Sequence, residues 1–362
     1  MVTDQTGSRS PEGGTWLDSE SAPHLVAAPD SGRGKRPEQP EPFLRGCAWP
    51  GTSSVPYPRA DPSDRMRLPG DTWQMAAIPI GVRLEIVGDA WEVEIAYSTQ
   101  TDQLGYRGEG AGTAFSAWTR EGLLAEEPAE LGDATVRLPL AQGQPTVVYL
   151  PEGMRPTVQR VAGVGGDIAP APPQPRWVVY GDSVAEGWIA TAPALAWPAV
   201  AGRKQQLDVI NLGYAGAARG EIASAEQVGG LAADLITVCH GTNCWTRMPY
   251  SVGVFRETVT AFLDVLRQDH PTTPVLVASP VLRPDAEATP NRLGATLAAL
   301  RRTMEDIVQA RIAAGDEHLQ LVKGLNLLDA EHLGDGIHPN DEGHGRMAAV
   351  LGEAARSMIR AR

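Results

Sequence analysis

Residue types suited to nucleophilic catalysis occur in four short blocks in the second half of the chain. The first block, Gly181-Asp182-Ser183, follows an apolar run and places a hydroxyl group on a tight turn. Ser183 is a nucleophile only if a nearby base removes its proton, and a serine at this position is also a common helix N-cap. The block lacks the second glycine of the Gly-x-Ser-x-Gly elbow, so both interpretations stay open at this point.

A candidate base lies near the C-terminus, in Asp335-Gly-Ile-His338-Pro. The residue before a proline is pushed out of helical geometry, so we expect His338 in an extended loop. Asp335 can accept a proton from one imidazole nitrogen and leave the other free to act as a base. Two alternatives remain: His338 packs against the C-terminal helix, or His332, His338 and His344 bind a metal with nearby carboxylates. Their spacing matches no common metal motif.

Two further blocks offer hydrogen-bond donors for an oxyanion. Asn211-Leu-Gly213 follows the second apolar run, and a glycine there lets the backbone N–H approach a ligand closely. Asn243, in Gly-Thr-Asn-Cys-Trp, follows the third run and offers a side-chain amide. Each block alone also fits an ordinary turn or loop. Four such blocks in order along one chain indicate a catalytic site more strongly than any one of them.

The residues around Asn243 allow other chemistry. Cys239, His240 and Cys244 contain zinc-ligand atoms, but no second Cys/His pair has ligand spacing, so we expect two buried thiols and no metal site. Cys244 could act as a nucleophile, although Ser183 is the better candidate.

The elements that must position these blocks are alternating strands and helices. Five short apolar runs alternate with amphipathic stretches, which predicts a parallel, doubly wound sheet with its site at the carboxyl ends of the strands. The predicted strands are 177–180, 207–210, 235–238, 275–278 and 319–322, and the predicted helices carry apolar stripes within 252–266, 293–307 and 347–359.

The preceding region, about 42–162, has strand patterns and almost no helical period. Runs at 82–86 and 91–97 flank Gly88-Asp89 and predict a hairpin with one buried face, and runs at 134–140 and 145–150 extend an antiparallel, jelly-roll-like β-sandwich. Residues 1–41 are rich in Pro, Gly, Ser and Glu, which predicts a disordered tail. The Gly/Pro-rich segment 163–175 predicts a linker to a catalytic domain at 176–362.

Composition narrows the function classes. The 362 residues predict two domains, and a net charge of −13 argues against nucleic-acid and membrane-surface partners. None of the three lysines completes a Gly-Lys-Ser/Thr triplet, which excludes a Walker loop. Only three cysteines occur, the N-terminus lacks a signal-peptide pattern, and no run is long enough to span a membrane. We therefore expect a cytoplasmic protein of unspecified oligomeric state.

The four blocks, with Ser183, Gly213, Asn243 and the Asp335–His338 pair, resemble those of the GDSL/SGNH hydrolase superfamily over residues 176–362. The preceding β region and Gly-Thr-Asn-Cys-Trp are similar to a two-domain actinobacterial subgroup that includes an acyltransferase of tetracycline tailoring. Two departures are mild: Val184 follows the serine where the family usually has Leu, and Cys244 follows Asn243 where it usually has Asp.

The resemblance implies a flavodoxin-like three-layer fold, a Ser183 nucleophile, a His338 base and an Asp335 orienting acid. Ser183, Gly213 and Asn243 would form the oxyanion hole, without a metal or organic cofactor. The expected function is that of a serine esterase acting on a small-molecule ester or acyl donor. Alternatives are an acyltransferase acting on a hydroxyl of a natural product or sugar, and a non-catalytic carbohydrate-binding protein. Candidate substrate contacts, each with an ordinary packing role as its alternative, are Trp188, Trp245 and Arg219.

Overall fold

The computed structural model describes residues 37–102, 104 and 111–361. Most of the predicted tail, residues 1–36, lies outside the described residues. At residue 38 the chain already pairs with a strand, because Glu38 and Val161 form an antiparallel bridge. The described residues from 37 onwards belong to one compact unit.

The N-terminal half consists of two antiparallel sheets. Its strands are β1 (Leu44–Arg45), β2 (Arg83–Gly88), β3 (Glu92–Thr99), β4 (Ala114–Trp118), β5 (Leu123–Pro128), β6 (Gly132–Pro139), β7 (Thr146–Tyr149), β8 (Thr157–Val164) and β9 (Ile168–Pro170), and helix α1 (Gly70–Ala76) precedes β2. One sheet has the order β1-β2-β7-β4-β5 with β9 also beside β2, and the other has the order β6-β3-β8. Their facing side chains form one apolar core.

The predicted hairpin of the first two long strands is wrong. β2 pairs with β1, β7 and β9, whereas β3 pairs with β6 and β8 in the other sheet. The turn at Gly88 carries the chain between the sheets, and Asp89 N and Ala90 N donate to Asp167 O. β3 has the alternating buried face that its pattern predicts, but in β2 the polar residues Arg83 and Glu85 are buried as well. The second face of β2 is covered by the C-terminal half, which the sequence pattern does not reveal.

Part of the predicted linker is strand. β8 extends to Val164 and β9 occupies 168–170, where it pairs with β2. The strand pairing ties this segment to the N-terminal sheets, and the domain limits at 162 and 176 stay a prediction.

The C-terminal half is the predicted parallel sheet with helices. Its strands are β10 (Arg176–Gly181), β11 (Asp208–Gly213), β12 (Leu235–Cys239), β13 (Val275–Ala278) and β14 (Leu319–Val322), and its helices are α2 (Ser183–Glu186), α3 (Trp197–Gln205), α4 (Ile222–Gly229), α5 (Val252–Asp269), α6 (Leu297–Ala313) and α7 (Asp341–Arg360). The strand order β11-β10-β12-β13-β14 is the flavodoxin-like order, with apolar clusters on both faces. The fold expectation for this half is confirmed.

The three predicted helical stripes correspond to α5, α6 and α7, each of which begins at a side-chain cap. Ser251 accepts from Val254 N, and Thr296 and Asn340 accept from the residues three positions later. Leu293 lies before α6 and is exposed, so the second helix starts four residues later than the apolar pattern alone suggests. Within the described ranges, no helix is both long and apolar enough to cross a membrane.

Candidate active site

The candidate nucleophile stands at the carboxyl end of strand β10, between β11 and β12. Ser183 is the first residue of α2, and Asp182 caps that helix by accepting from Val184 N at 3.1 Å. Gly181 is required before them, because a Cβ there would lie 2.3 Å from Cys239 O on the neighbouring strand. Gly187 ends the short helix with φ of 95°, in the left-handed region that glycine tolerates. These local requirements hold the Ser183 hydroxyl above the sheet.

The loop before α7 brings the predicted base to this hydroxyl. His338 Nε2 lies 2.9 Å from Ser183 Oγ, and His338 Nδ1 lies 2.7 Å from Asp335 Oδ2. The other oxygen of Asp335 accepts from the backbone N–H groups of Ile337 and His338. Ser183, His338 and Asp335 therefore form a continuous hydrogen-bonded chain, although 155 residues separate the serine from the histidine.

The charges around this chain favour a neutral imidazole beside an ionised carboxylate. Burial lowers the pKa of His338, Asp335 opposes that shift, and the positive charge of Arg283 adds to it. Burial opposes ionisation of Asp335, but hydrogen bonds from the ring and backbone of His338 outweigh it, and the net pKa of Asp335 is lowered. A neutral histidine oriented by an ionised aspartate is the form that a general base requires.

Asp182, next to the nucleophile, was not predicted as a site residue. Burial raises its pKa to about 6. Hydrogen bonds from the backbone N–H groups of Val184, Thr242 and Gly241 stabilise its charged form and oppose this rise. These bonds join the nucleophile turn to the loop after β12. Asp182 therefore fixes Ser183 relative to the loop that carries Asn243.

The predicted oxyanion donors differ in availability. Asn243 is buried, and its amide donates one hydrogen to Ala218 O at 3.2 Å, which leaves a second amide hydrogen. The N–H of Gly213 is already used, because it donates to Asn211 Oδ1 at 2.8 Å, and a Cβ at Gly213 would lie 2.3 Å from Glu186 N. Gly213 thus serves the close packing of α2 on β11, and its N–H does not fit the predicted donor role.

Two of the backbone N–H groups that have no acceptor among the described residues lie just after β10 and just after β11. One is that of Ser183, and the other is that of Gly216, which has a φ of +69° in the turn after β11. The same turn supplies the carbonyl of Ala218 that Asn243 binds. This glycine turn begins after β11, and Gly216 lies three residues beyond Gly213.

An arginine from the N-terminal half supports this turn, which sequence reasoning missed. Arg59 is 1% exposed, donates to the carbonyls of Asn211 and Gly213, and lies 3.5 Å from Glu186 Oε2. Glu186 Oε2 in turn accepts from Ala215 N at 2.9 Å. A buried ion pair thus lies beneath the Gly216 turn, and one of its members comes from the other half of the chain.

The predicted substrate contacts divide into two kinds. The Trp188 ring lies 5.9 Å from the His338 ring, and Trp245 stacks on the Arg283 guanidinium at 4.9 Å. Both tryptophans are half-buried. Arg219 is buried and makes a two-point ion pair with Asp71 at 2.9 and 3.0 Å, so its charge is already neutralised. Arg219 therefore joins the two halves of the chain and does not fit the predicted role of binding a substrate anion.

An exposed arginine does lie beside the Gly216 turn. The guanidinium of Arg247 would come within 3.4 Å of a Cβ built on Gly216, so it borders the turn itself. Neither Arg247 nor Arg283 was singled out from the sequence, since a single arginine in a loop carries no distinguishing pattern.

The alternative nucleophile and metal ligands have other roles. Cys239 and Cys244 are buried free thiols whose pKa values burial raises, so neither is a thiolate. His344 Nε2 lies 3.3 Å from Trp188 O, and His332 Nδ1 accepts from Asp329 N. His332 does lie within ligand distance of Asp329 and Glu331, but both carboxylates are exposed and His338 is not among this group.

Solved structures with the same fold cover nearly the whole chain. A salicylyl-acyltransferase, SsfX3, from a tetracycline biosynthetic pathway is 24% identical, covers 91% of this chain and 99% of its own, and has a TM-score of 0.77. A GDSL-like lipase from Bacteroides ovatus is 20% identical, with 90% and 98% coverage and a TM-score of 0.74. A family two carbohydrate esterase from Clostridium thermocellum, in complex with cellohexaose, is 15% identical, with 76% and 91% coverage and a TM-score of 0.55. At these identities the likeness is one of fold.

A comparison with curated proteins found no match. The family model described as the GDSL-like lipase/acylhydrolase family matches residues 174–355, which is half of the chain and contains all four blocks. The chain belongs to the GDSL-like lipase/acylhydrolase family.

Proposed function

We propose that the protein is a serine-dependent acyl hydrolase that forms an acyl-Ser183 intermediate with a small-molecule ester. The observation that carries this proposal is the hydrogen-bonded chain from Asp335 through His338 to Ser183, with distances of 2.7 and 2.9 Å. A catalytically silent binding protein has no need for such a chain at a sheet edge. The family and the strand-end position agree with this choice.

The first step moves a proton from the serine to the histidine. His338 Nε2 takes the proton of Ser183 Oγ as the oxygen attacks the ester carbonyl, and Nδ1–H remains bonded to Asp335. General-base assistance of this kind contributes about 10²–10⁴-fold in rate. The imidazolium then protonates the leaving alkoxide, which departs as an alcohol and leaves the acyl group on Ser183. Water, activated by the same nitrogen, releases the acid.

The negative charge that develops on the carbonyl oxygen needs donors that are already in place. We assign this role to the N–H of Ser183, the second amide hydrogen of Asn243 and the N–H of Gly216 instead of Gly213. The N–H groups of Ser183 and Gly216 have no acceptor among the described residues, and the bond from the Asn243 amide to Ala218 O joins Asn243 to the Gly216 turn. Each such donor is worth about 10²–10³-fold in rate.

The walls of the site favour a substrate with an apolar or aromatic acyl group. Trp188 offers a flat apolar surface beside His338, and Trp245 offers one beside Arg283, whose charge acts on His338. We assign substrate contact to these two tryptophans, and not to Arg219, whose charge Asp71 neutralises.

Acyl transfer to an alcohol is the second candidate function. It is favoured by the fold likeness to a salicylyl-acyltransferase, which includes the N-terminal sheets as well as the catalytic half. The catalytic residues are the same in both reactions, since an alcohol replaces water in the second step. What differs is whether the site binds an acceptor and excludes water. We place the reaction in the cytoplasm, because all three cysteines are free thiols.

The test is turnover of p-nitrophenyl acetate by the full chain, followed by intact-protein mass spectrometry with and without added alcohols. Ser183→Ala should abolish turnover and the acyl adduct, while Ser357→Ala, a change of an exposed serine on α7, should have no effect. Discharge of the adduct to an added alcohol in preference to water would assign a transferase. Full activity of Ser183→Ala would refute both functions.

A further inference from the structure

A cavity of about 250 Å³ lies between the two halves of the chain, apart from the catalytic residues. Its walls come from β2 and β7 on one side and from β11 and α3 on the other. None of Ser183, Asp335 and His338 lines it. We call this space the module cavity. Its volume is near the lower end of the range of about 300–1,000 Å³ for small-molecule sites, so an occupant would be small.

Much of the wall of the module cavity is apolar. Its apolar residues are mostly aliphatic and come from both halves of the chain; among them are Val147, Ala196, Ala199, Leu207 and Val209. An occupant with an apolar body would lose its hydration here at little cost, because these walls offer water few hydrogen bonds.

The charges in the module cavity differ in how they are satisfied. Arg83 is 5% exposed and is neutralised by Glu85 at 2.8 Å and Asp208 at 2.9 Å. Arg120 and Glu121 are adjacent exposed residues of opposite sign at the rim, where their charges offset each other. Counted with Asp208, these residues carry one excess negative charge, so they offer no attraction to an anionic ligand.

Arg203 is the exception. It is half-buried on α3, and no carboxylate of the described residues lies within ion-pair distance. Its guanidinium lies 4.7 Å from the centre of the Trp118 ring and 5.1 Å from that of Tyr149, and one N–H donates to the Tyr149 hydroxyl at 2.8 Å. The two rings and this bond fix the plane of the guanidinium while leaving other N–H donors available. A planar, fixed fork of N–H groups matches the two oxygens of a carboxylate.

We propose that the module cavity binds a small organic carboxylate. Its apolar body lies against the wall that contains Ala199 and Val209, and its carboxylate accepts hydrogen bonds from Arg203. The site is separate from the acyl-serine chemistry and does not depend on it. A neutral alcohol of the same shape lacks the two negatively charged oxygens that the guanidinium N–H groups of Arg203 would bind. Acetate has these oxygens but lacks the apolar body. Both features of the ligand are therefore required.

The test is calorimetric titration of the full chain with benzoate and with octanoate, using benzyl alcohol, octan-1-ol and acetate as controls. At least one of the two carboxylates should bind with a Kd of about 1 mM or below, and the controls should bind at least about tenfold more weakly, the loss expected for a charge-assisted hydrogen bond. Binding of neither carboxylate, or equal binding of the matching alcohol, would overturn the proposal.

Variants locate the bound carboxylate. Arg203→Met should raise Kd at least about tenfold, and Ala199→Phe should block binding by filling the cavity while keeping the arginine. Arg160→Met, a change of an exposed arginine on β8 outside the cavity, should have no effect. Ser183→Ala should also bind normally, which separates this site from the catalytic one. Unchanged binding in both cavity variants, or lost binding in Ser183→Ala, would contradict the assignment.

Discussion

His240 follows β12 and provides a stability test that is independent of turnover. The residue is 1% exposed, and its ring lies 5.7 to 6.1 Å from those of Tyr180, Phe255 and Phe262. Neither ring nitrogen has a hydrogen-bond partner among the described residues. Burial without a partner lowers the pKa of His240 from 6.5 to about 4. The folded protein therefore holds this histidine neutral at neutral pH.

The sign of the effect on stability follows from the two pKa values. The unfolded chain binds a proton below pH 6.5 and the folded chain only below about pH 4, so stability falls as the pH is lowered between these values. At about 1.4 kcal/mol per pKa unit, the full penalty is about 3 kcal/mol, of which about 2 kcal/mol is reached at about pH 5. Asp182 has the opposite sign, because burial raises its pKa to about 6 and folding then favours its protonation.

The assay must therefore compare two proteins rather than two pH values alone. His240→Phe keeps a ring in the aromatic cluster and removes the titrating group, while Asp182 contributes equally to both proteins. Urea unfolding at about pH 7 and about pH 5 should show the variant gaining about 2 kcal/mol relative to the wild type at the lower pH. His318→Gln, a change of an exposed histidine, should show no such gain. An equal difference at both pH values would refute the reasoning.

Three further predictions concern the catalytic chain and its support. The acidic limb of kcat/KM for p-nitrophenyl acetate should lie below pH 6.5, because the pKa of His338 is lowered. Arg283→Met should move this limb to higher pH, because it removes a positive charge that lowers the pKa of His338. A limb that does not move in the variant would contradict this. Asp335→Asn should lower kcat by about 10²-fold or more in a rate assay, because His338 loses the carboxylate that orients it. Arg59→Met should cost about 3–5 kcal/mol in urea unfolding, because the buried carboxylate of Glu186 loses the positive charge of Arg59. A loss below about 1 kcal/mol would count against that pairing.

The sequence was informative where local pattern decides structure. The five strands of the parallel sheet are short apolar runs, and α5 follows its predicted stripe because Phe255, Val259 and Phe262 face the core. For the candidate triad, the Asp-x-x-His spacing and the strand-end serine each offered a chemical role beside an ordinary one, and the family resemblance favoured the chemical role. That these two blocks meet in space follows from the sheet topology.

The remainder depends on partners that are distant in the chain. The alternation in β2 predicted one exposed face, but Arg83 and Glu85 are buried. Arg83 forms ion pairs with Glu85 and with Asp208 of the other half. Such an error falls where tertiary contacts override a local pattern. The bond from Gly213 N–H to Asn211 Oδ1 is different, because it joins residues only two apart and is a local turn that the Asn-Leu-Gly block itself allows.

The central claim is that His338 removes the proton of Ser183, and labelling by a fluorophosphonate tests it most directly. Peptide mapping should place the phosphonyl group on Ser183 of the wild-type chain, with a labelling rate that rises with pH as His338 becomes neutral. His338→Ala should label at least about 10²-fold more slowly, whereas His344→Ala, if it folds, should label at nearly the wild-type rate. Labelling of another residue, or equal rates in His338→Ala and the wild type, would contradict the account.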